Sequence, residues 1–267
     1  MWVLFGVLPA VALMLVGVGV FGPRWLAIAV AVSICVPFGM EYGWPDWFWQ
    51  LDAMHGAPKP WLWWLLLFGG VIGSLYDRRW LPRQLGFGCE IVLVALLPWL
   101  LSAPLRDDWS FEASAAFLAA GWVVQTAIWW SLRRAASARE GMAVPLAMTI
   151  VLGVDAWFLR ENCGGADWKL AGVAAIALGF SVLTTCWVRP FVCGTGGVLL
   201  ITLAHTGLLL CGRSERELLQ VPLVLAWCAP LPMLIGATSW FKDARTSGAV
   251  LGVVGVGTIA TCVVFAT

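Results

Sequence analysis

Charged residues are scarce in this sequence, and their scarcity indicates which class of protein it belongs to, soluble or membrane. Only 12% of the 267 residues are charged and 61% are apolar, whereas a soluble domain usually carries about 25% charged residues. So few charges cannot cover the surface of a soluble globular protein. The formal net charge of +1 also lacks the basic excess expected of a nucleic-acid-binding surface. The chain is therefore predicted to be an integral membrane protein whose partners are membrane lipids, with no nucleic acid.

The sequence also lacks the motifs of common enzymes and metal sites. It contains no His-Glu-x2-His, Gly-x-Ser-x-Gly, Walker or paired acidic magnesium motif. Its two histidines are too few for a histidine-rich metal centre. We therefore predict no enzymatic activity, no cofactor and no metal, and an enzyme built from scattered residues ranks only third among the hypotheses.

Long apolar runs dominate the chain and predict ten transmembrane helices, because about 20 apolar residues cross a bilayer. Ten helices leave no room for a soluble domain, so residues 1–267 form one transmembrane domain. The predicted fold is an all-α, polytopic integral membrane helix bundle. The predicted spans are Trp2–Phe21, Arg24–Met40, Trp61–Tyr76, Leu85–Leu101, Phe111–Leu132, Gly141–Leu159, Trp168–Trp187, Phe191–Cys211, Leu218–Ala237 and Gly248–Ala266.

Basic residues in the short loops predict the orientation, because Lys and Arg resist translocation. Alternate loops hold ten of the 16 basic residues on one side and six on the other. The side with ten is predicted to be cytoplasmic, which places both termini on the non-cytoplasmic side of the cell membrane. Seventeen of the 19 tryptophans then fall at a predicted membrane interface, where indole is favoured.

The two halves of the chain share a weak similarity. Pro9 and Gly17 in the first predicted helix match Pro145 and Gly153 in the sixth at the same spacing. The halves would be residues 1–134 and 141–267. Because each half holds five helices, a duplication would produce an inverted repeat, as in many secondary transporters. The alternative is that apolar sequences align easily by chance.

Ionisable residues inside the hydrocarbon are costly and invite a functional hypothesis. Glu90 is the deepest carboxylate, and Gln125 lies at the same predicted depth near the inner side. The two are predicted to hydrogen-bond, and Glu90 is the first candidate for a proton-coupling or gating carboxylate. Two structural alternatives stand beside this hypothesis: a Glu90–Gln125 clamp between two helices, or a Glu90 side chain that reaches Arg83.

Asp155 and His205 form a second predicted layer, four and six residues from the outer ends of their helices. An Asp beside a His can relay protons or bind a cation. Asp155 could instead reach Arg160, and His205 could simply hydrogen-bond between helices. Together the inner and outer layers fit alternating access.

The longest outer loop is rich in tryptophan. From Pro45 it predicts a short interfacial helix with Trp44, Trp47, Phe48 and Leu51 on one face. This segment could serve as a lid, as an aromatic platform for a lipid or sugar, or as a membrane anchor.

Two cysteines map to the oxidising outer side. Cys163 and Cys211 are therefore predicted to form a disulfide. The other six cysteines lie within spans or near the inner side, where they are predicted to be small apolar fillers.

Small residues predict close helix packing at three places. These are Gly69-Gly70-x2-Gly73, Gly194-x-Gly196-Gly197 and Gly248-x3-Gly252-x2-Gly255-x-Gly257.

Two functional hypotheses follow. The first is a small secondary carrier or permease for a small solute, coupled to protons, in which Glu90, Gln125, Asp155 and His205 are the candidate residues. The second is a non-catalytic structural or assembly subunit of a larger membrane complex, for which other membrane subunits would be partners. Scarce intramembrane charge favours the subunit, whereas the apparent duplication and the two polar layers favour the carrier.

Overall fold

The computed structural model describes residues 11–12, 16, 26–44, 58–102, 109–138, 143–163, 167–188, 194–215 and 220–231. Within these ranges the secondary structure is helical, without a strand. The helices are α1 (Leu26–Tyr42), α2 (Pro58–Asp77), α3 (Arg83–Leu101), α4 (Phe111–Ala138), α5 (Ala143–Cys163), α6 (Asp167–Val188), α7 (Thr195–Glu215) and α8 (Gln220–Cys228). The all-α class predicted from composition is confirmed.

These helices follow predicted spans two to nine. Two ends differ clearly: α4 runs six residues past the predicted end at Leu132, and α8 stops at Cys228 rather than Ala237. The early end of α8 has a local cause, because Pro230 has no N–H to continue the helical hydrogen bonds. Predicted spans one and ten lie almost entirely outside the described residues.

Among the described residues, three segments are long and apolar enough to cross a membrane: Arg83–Leu101, Phe111–Ala136 and Thr195–Gly212. The first two are 39% and 33% buried, whereas the third is 94% buried within the protein. The exposed sides of α3 and α4 carry large apolar residues, among them Val92, Trp122 and Val123. Apolar side chains on the outside of α3 and α4 fit contact with lipid, which is as apolar as they are.

Helix α7 is the centre of the described bundle, and it packs against each of the other seven helices. Glycines permit its closest approach to α2. A Cβ atom added to Gly73 would lie 2.7 Å from the Cα atom of Gly196, so neither backbone leaves space for a side chain. Two of the three glycine motifs found in the sequence thus meet at one helix crossing.

The C-terminal turn of α2 caps two other helices. The backbone N–H of Ile28, in the first turn of α1, donates to Ser74 Oγ at 3.0 Å. Asp77 Oδ1 accepts hydrogen bonds from the Gly196 N–H and from Thr195 Oγ1, both at 3.2 Å. First-turn N–H groups have no partner within their own helix, so α2 supplies acceptors to the first turns of α1 and α7.

Candidate functional site

His205 and Thr206 place two polar side chains in the middle of the central helix. Each is 0% exposed, and His205 lies ten residues after Thr195, about 15 Å along the helix axis. A polar group buried at this depth costs free energy unless it finds hydrogen-bond partners. Both residues find them on neighbouring helices.

His205 joins α7 to α5 and α8. Its Nδ1 lies 2.5 Å from Asp155 Oδ2, and its Nε2 lies 3.1 Å from the backbone oxygen of Trp227. That oxygen is available because Trp227 is in the last turn of α8, where carbonyl groups lack a partner within the helix. Pro230 cannot donate to it, and the Leu231 N–H donates to Cys228 O instead. The irregular end of α8 therefore creates the acceptor that orients the imidazole.

Thr206 joins α7 to α4 and α8. Its hydroxyl donates to Gln125 Oε1 at 2.6 Å and accepts from Trp227 Nε1 at 3.0 Å. The same indole N–H also approaches Gln125 Oε1 at 3.4 Å. Asp155, His205, Trp227, Thr206 and Gln125 thus form one hydrogen-bonded unit, called the polar network below, that links four helices.

A second polar contact lies nearer the predicted inner end. Arg133 on α4 forms an ion pair with Glu90 on α3, and its Nη2 donates to the Tyr76 hydroxyl at 3.3 Å. The guanidinium also lies over aromatic rings, 4.9 Å from the centroid of Phe87 and 5.2 Å from that of Trp129. The Glu90 side chain is 0% exposed and that of Arg133 is 17% exposed. We call Glu90 and Arg133 the inner pair.

Comparisons with protein-family models, curated proteins and solved structures find no match to this chain. The chemistry of the site therefore has to be argued from its own residues. Among the described residues, no group of three or more His, Cys, Asp or Glu side chains is arranged to hold a metal ion.

The predicted pairing of Glu90 with Gln125 is wrong, and so is the alternative contact of Glu90 with Arg83. Helix α4 continues to Ala138, so Gln125 lies 13 residues from its C-terminal end, about 20 Å along the axis. Arg133 is two turns closer to that end and occupies the position facing Glu90. Gln125 instead faces α7 and α8, and it belongs with the layer of Asp155 and His205.

The structure does bring Asp155 and His205 together, but deeper than predicted. Helices α5 and α7 end at Cys163 and Glu215, so the two residues lie eight and ten residues from those ends. They are therefore close to the middle of their helices.

Sequence reasoning missed Arg133, Thr206 and Trp227 as site residues. Trp227 had one visible signal, since it falls in the middle of a predicted span, away from the interfaces that tryptophan favours.

The remaining predicted sites fall mostly outside the described residues. Trp44 is 62% exposed, with its ring 6.3 Å from that of Trp63 in an edge-to-face contact. Trp47, Phe48 and Leu51 lie outside the described residues, so the lid and the anchor both stay predictions.

The predicted disulfide also stays a prediction. Cys211 is buried in α7, and the side chain of Cys163 is outside the described residues.

Proposed function

We propose that this protein is a polytopic carrier of the cell membrane that moves a small solute together with protons. The observation that carries the proposal is the Asp155–His205 pair, fully buried with Nδ1 and Oδ2 2.5 Å apart. An acid and a histidine in contact at the middle of apolar helices carry a free-energy cost that packing alone does not require. Their chemistry suits them to hold and release a proton.

The hydrogen bonds of His205 fix the number of protons in the pair. A backbone carbonyl can only accept, so Nε2 carries a hydrogen that it donates to Trp227 O. The short contact between Nδ1 and Asp155 Oδ2 then contains one proton shared by the two side chains. In that state the pair is neutral overall, as buried groups prefer. Loss of the proton would leave two lone pairs facing each other and a net negative charge, which favours separation of α5 from α7.

The inner pair supplies a gate in this proposal. It bridges α3 and α4, and Arg133 is held by Glu90, by Tyr76 and by the faces of aromatic rings. Breaking these contacts would let α3 and α4 separate on the predicted cytoplasmic side. Glu90 is therefore assigned a gating role, and proton binding is assigned to Asp155 and His205.

The ten-helix topology, with two inverted five-helix halves and both termini on the non-cytoplasmic side, is part of the same proposal. The excess of basic residues in one set of loops supports the orientation. The position of the polar network near the middle of α4, α5 and α7 supports a carrier, because carriers with inverted repeats bind solute near the membrane midplane.

A structural or assembly subunit of a membrane complex is the second candidate, and the burial of Glu90 favours it. With its side chain 0% exposed and ion-paired, Glu90 contacts packed protein rather than water. A subunit that only holds neighbours together would use such pairs as helix clamps.

Proton movement in liposomes distinguishes the two candidates. The purified protein would be reconstituted into liposomes containing pyranine, and alanine, glucose, lactate, butyramide and tetraethylammonium would be added outside in turn. The carrier proposal expects that at least one solute changes the internal pH. His205→Gln should abolish that change, whereas Thr202→Val should preserve it.

Thr202 is a matched control because it is buried on the same helix and its hydroxyl donates only to Val198 O at 2.8 Å. No pH change with any of the five solutes, together with co-purification of a fixed set of membrane proteins, would contradict the carrier and support the assembly subunit.

A further inference from the structure

Gln125 carries a buried hydrogen-bond donor that the polar network does not use. The residue is 0% exposed, and its Oε1 accepts from Thr206 and Trp227. Its Nε2 has no hydrogen-bond partner among the described residues. Buried amide groups without a partner are rare in folded proteins, and each calls for an explanation such as a ligand or a bound water.

The orientation of the amide is fixed by its neighbours. The indole Nε1 of Trp227 can only donate, so the atom of Gln125 that faces it must be the oxygen. Rotating the amide by 180° would point two donors at each other and would leave the oxygen without the Thr206 hydrogen bond. Both hydrogens of Nε2 therefore point away from Thr206 and Trp227.

The surroundings of Gln125 combine this donor with an aromatic ring. Gly121 lies one turn before Gln125 on α4, and a Cβ atom added there would lie 3.3 Å from a ring atom of Trp227 and 3.4 Å from Pro98 Cβ. Glycine thus lets the indole ring lie against the α4 backbone beside the amide. The amide donor and the indole ring of Trp227 therefore lie side by side against α4.

The charges around Gln125 favour an uncharged ligand. Among the described residues, no Lys or Arg side chain hydrogen-bonds to Gln125, Thr206 or Trp227, and Arg133 is paired with Glu90. His205 reaches the Trp227 backbone oxygen, but Asp155 balances any charge on the imidazole. A bare carboxylate would therefore be buried without a counter-charge, which is unfavourable. An ammonium group would meet a donor rather than an acceptor.

We propose that Gln125 Nε2 binds the carbonyl oxygen of a small uncharged solute, and that Trp227 packs against the apolar part of that solute. This inference rests on the proposed carrier function and adds the class of solute and its position. Trp227 contacts both Gln125 and His205, so the solute would lie one residue away from the proton-binding pair.

Thermal unfolding of the full-length protein in detergent tests the inference without any transport. The probes are butyramide, butyrate and butylammonium, which share a four-carbon skeleton and differ in charge. Butyramide should raise the unfolding midpoint by about 4 °C at ten times its Kd, and the shift should grow with the logarithm of the butyramide concentration above that. Butyrate and butylammonium should leave the midpoint unchanged at equal ionic strength.

Two variants complete the test. Gln125→Met should lose the butyramide shift. Without solute its midpoint should stay close to the wild-type value, because loss of the unsatisfied Nε2 donor offsets loss of the Oε1 acceptor of Thr206. Thr202→Val should keep the shift.

The wild-type series alone can overturn the inference, even if Gln125→Met does not fold. A shift with butyrate or butylammonium instead of butyramide would refute the solute class, and no shift with any probe would indicate a site filled by water only. Binding of butyramide without proton movement in liposomes would refute the proposed function and leave this site standing.

Discussion

The inner pair is asymmetric, because Glu90 is sealed from solvent and Arg133 is not. Glu90 Oε2 is paired with Arg133, whereas Oε1 has no hydrogen-bond partner among the described residues. The carboxylate therefore depends on a single cation for its stabilisation. Arg133 has other contacts, since Tyr76 and the rings of Phe87 and Trp129 also hold its guanidinium.

Removal of the two partners should accordingly have unequal effects. Arg133→Met leaves a buried carboxylate uncompensated and should lower the free energy of unfolding by about 3 kcal/mol. Glu90→Gln should cost less, because Arg133 can remain partly solvated. Dodecyl sulphate titration in mild detergent would measure both, with Arg83→Met, an exposed arginine at the start of α3, as the control. Equal losses for the two variants, or no loss for Arg133→Met, would contradict this account.

Some contacts between residues can be predicted from spacing along the chain, and others cannot. Asp155 and His205 could be paired because both are polar residues at similar distances from helix ends. Gln125 could not be assigned, because its partner depends on where α4 ends and on how that helix is rotated. The acceptor for His205 Nε2 is the backbone oxygen of Trp227. Every residue has a backbone oxygen, so the amino-acid sequence does not indicate which one accepts.

At the scale of elements, the crossing of α2 and α7 organises the bundle. Gly73 and Gly196 bring the two backbones into contact, and one turn later Asp77 caps the start of α7. In lipid there is no hydrophobic drive between apolar helices, so close van der Waals packing of this kind supplies the association energy. The crossing also fixes how far along the bundle axis His205 and Thr206 lie from the α2 contact.

Alanine at two glycines should act in opposite directions. Gly73→Ala forces its Cβ against Gly196 and should lower the free energy of unfolding by about 2 kcal/mol. Gly88→Ala should raise it by about 0.5 kcal/mol, because a Cβ there meets nothing within 4 Å. The same detergent titration measures both. If both substitutions stabilise the protein, α2 and α7 are not in backbone contact.

At the scale of the whole molecule, α4 is the helix best suited to test whether the chain crosses the membrane and in which orientation. Glu112 and Arg134 are exposed residues near its two ends. They are 22 residues apart, or about 33 Å along the axis, which matches the roughly 30 Å of a bilayer's hydrocarbon.

Cysteine labelling of intact cells with a membrane-impermeant maleimide tests this crossing. Glu112→Cys should be labelled from outside, and Arg134→Cys only after the cells are opened. The wild type is the control, because it measures the background labelling of the eight native cysteines. The reverse pattern would invert the proposed orientation. Labelling of both positions in intact cells would mean that α4 does not cross.

The sequence by itself determined that the described part of this chain is helical, because scarce charge and long apolar runs demand backbone hydrogen bonds closed within each segment. It also located spans two to eight to within four residues at each end, except that α4 runs six residues past its predicted end. Only the tertiary structure decided that α7 is central, with 94% of its apolar segment buried against 39% for α3. The physical reason is that an apolar helix suits lipid and protein interior equally well, so its composition does not record which of the two it faces.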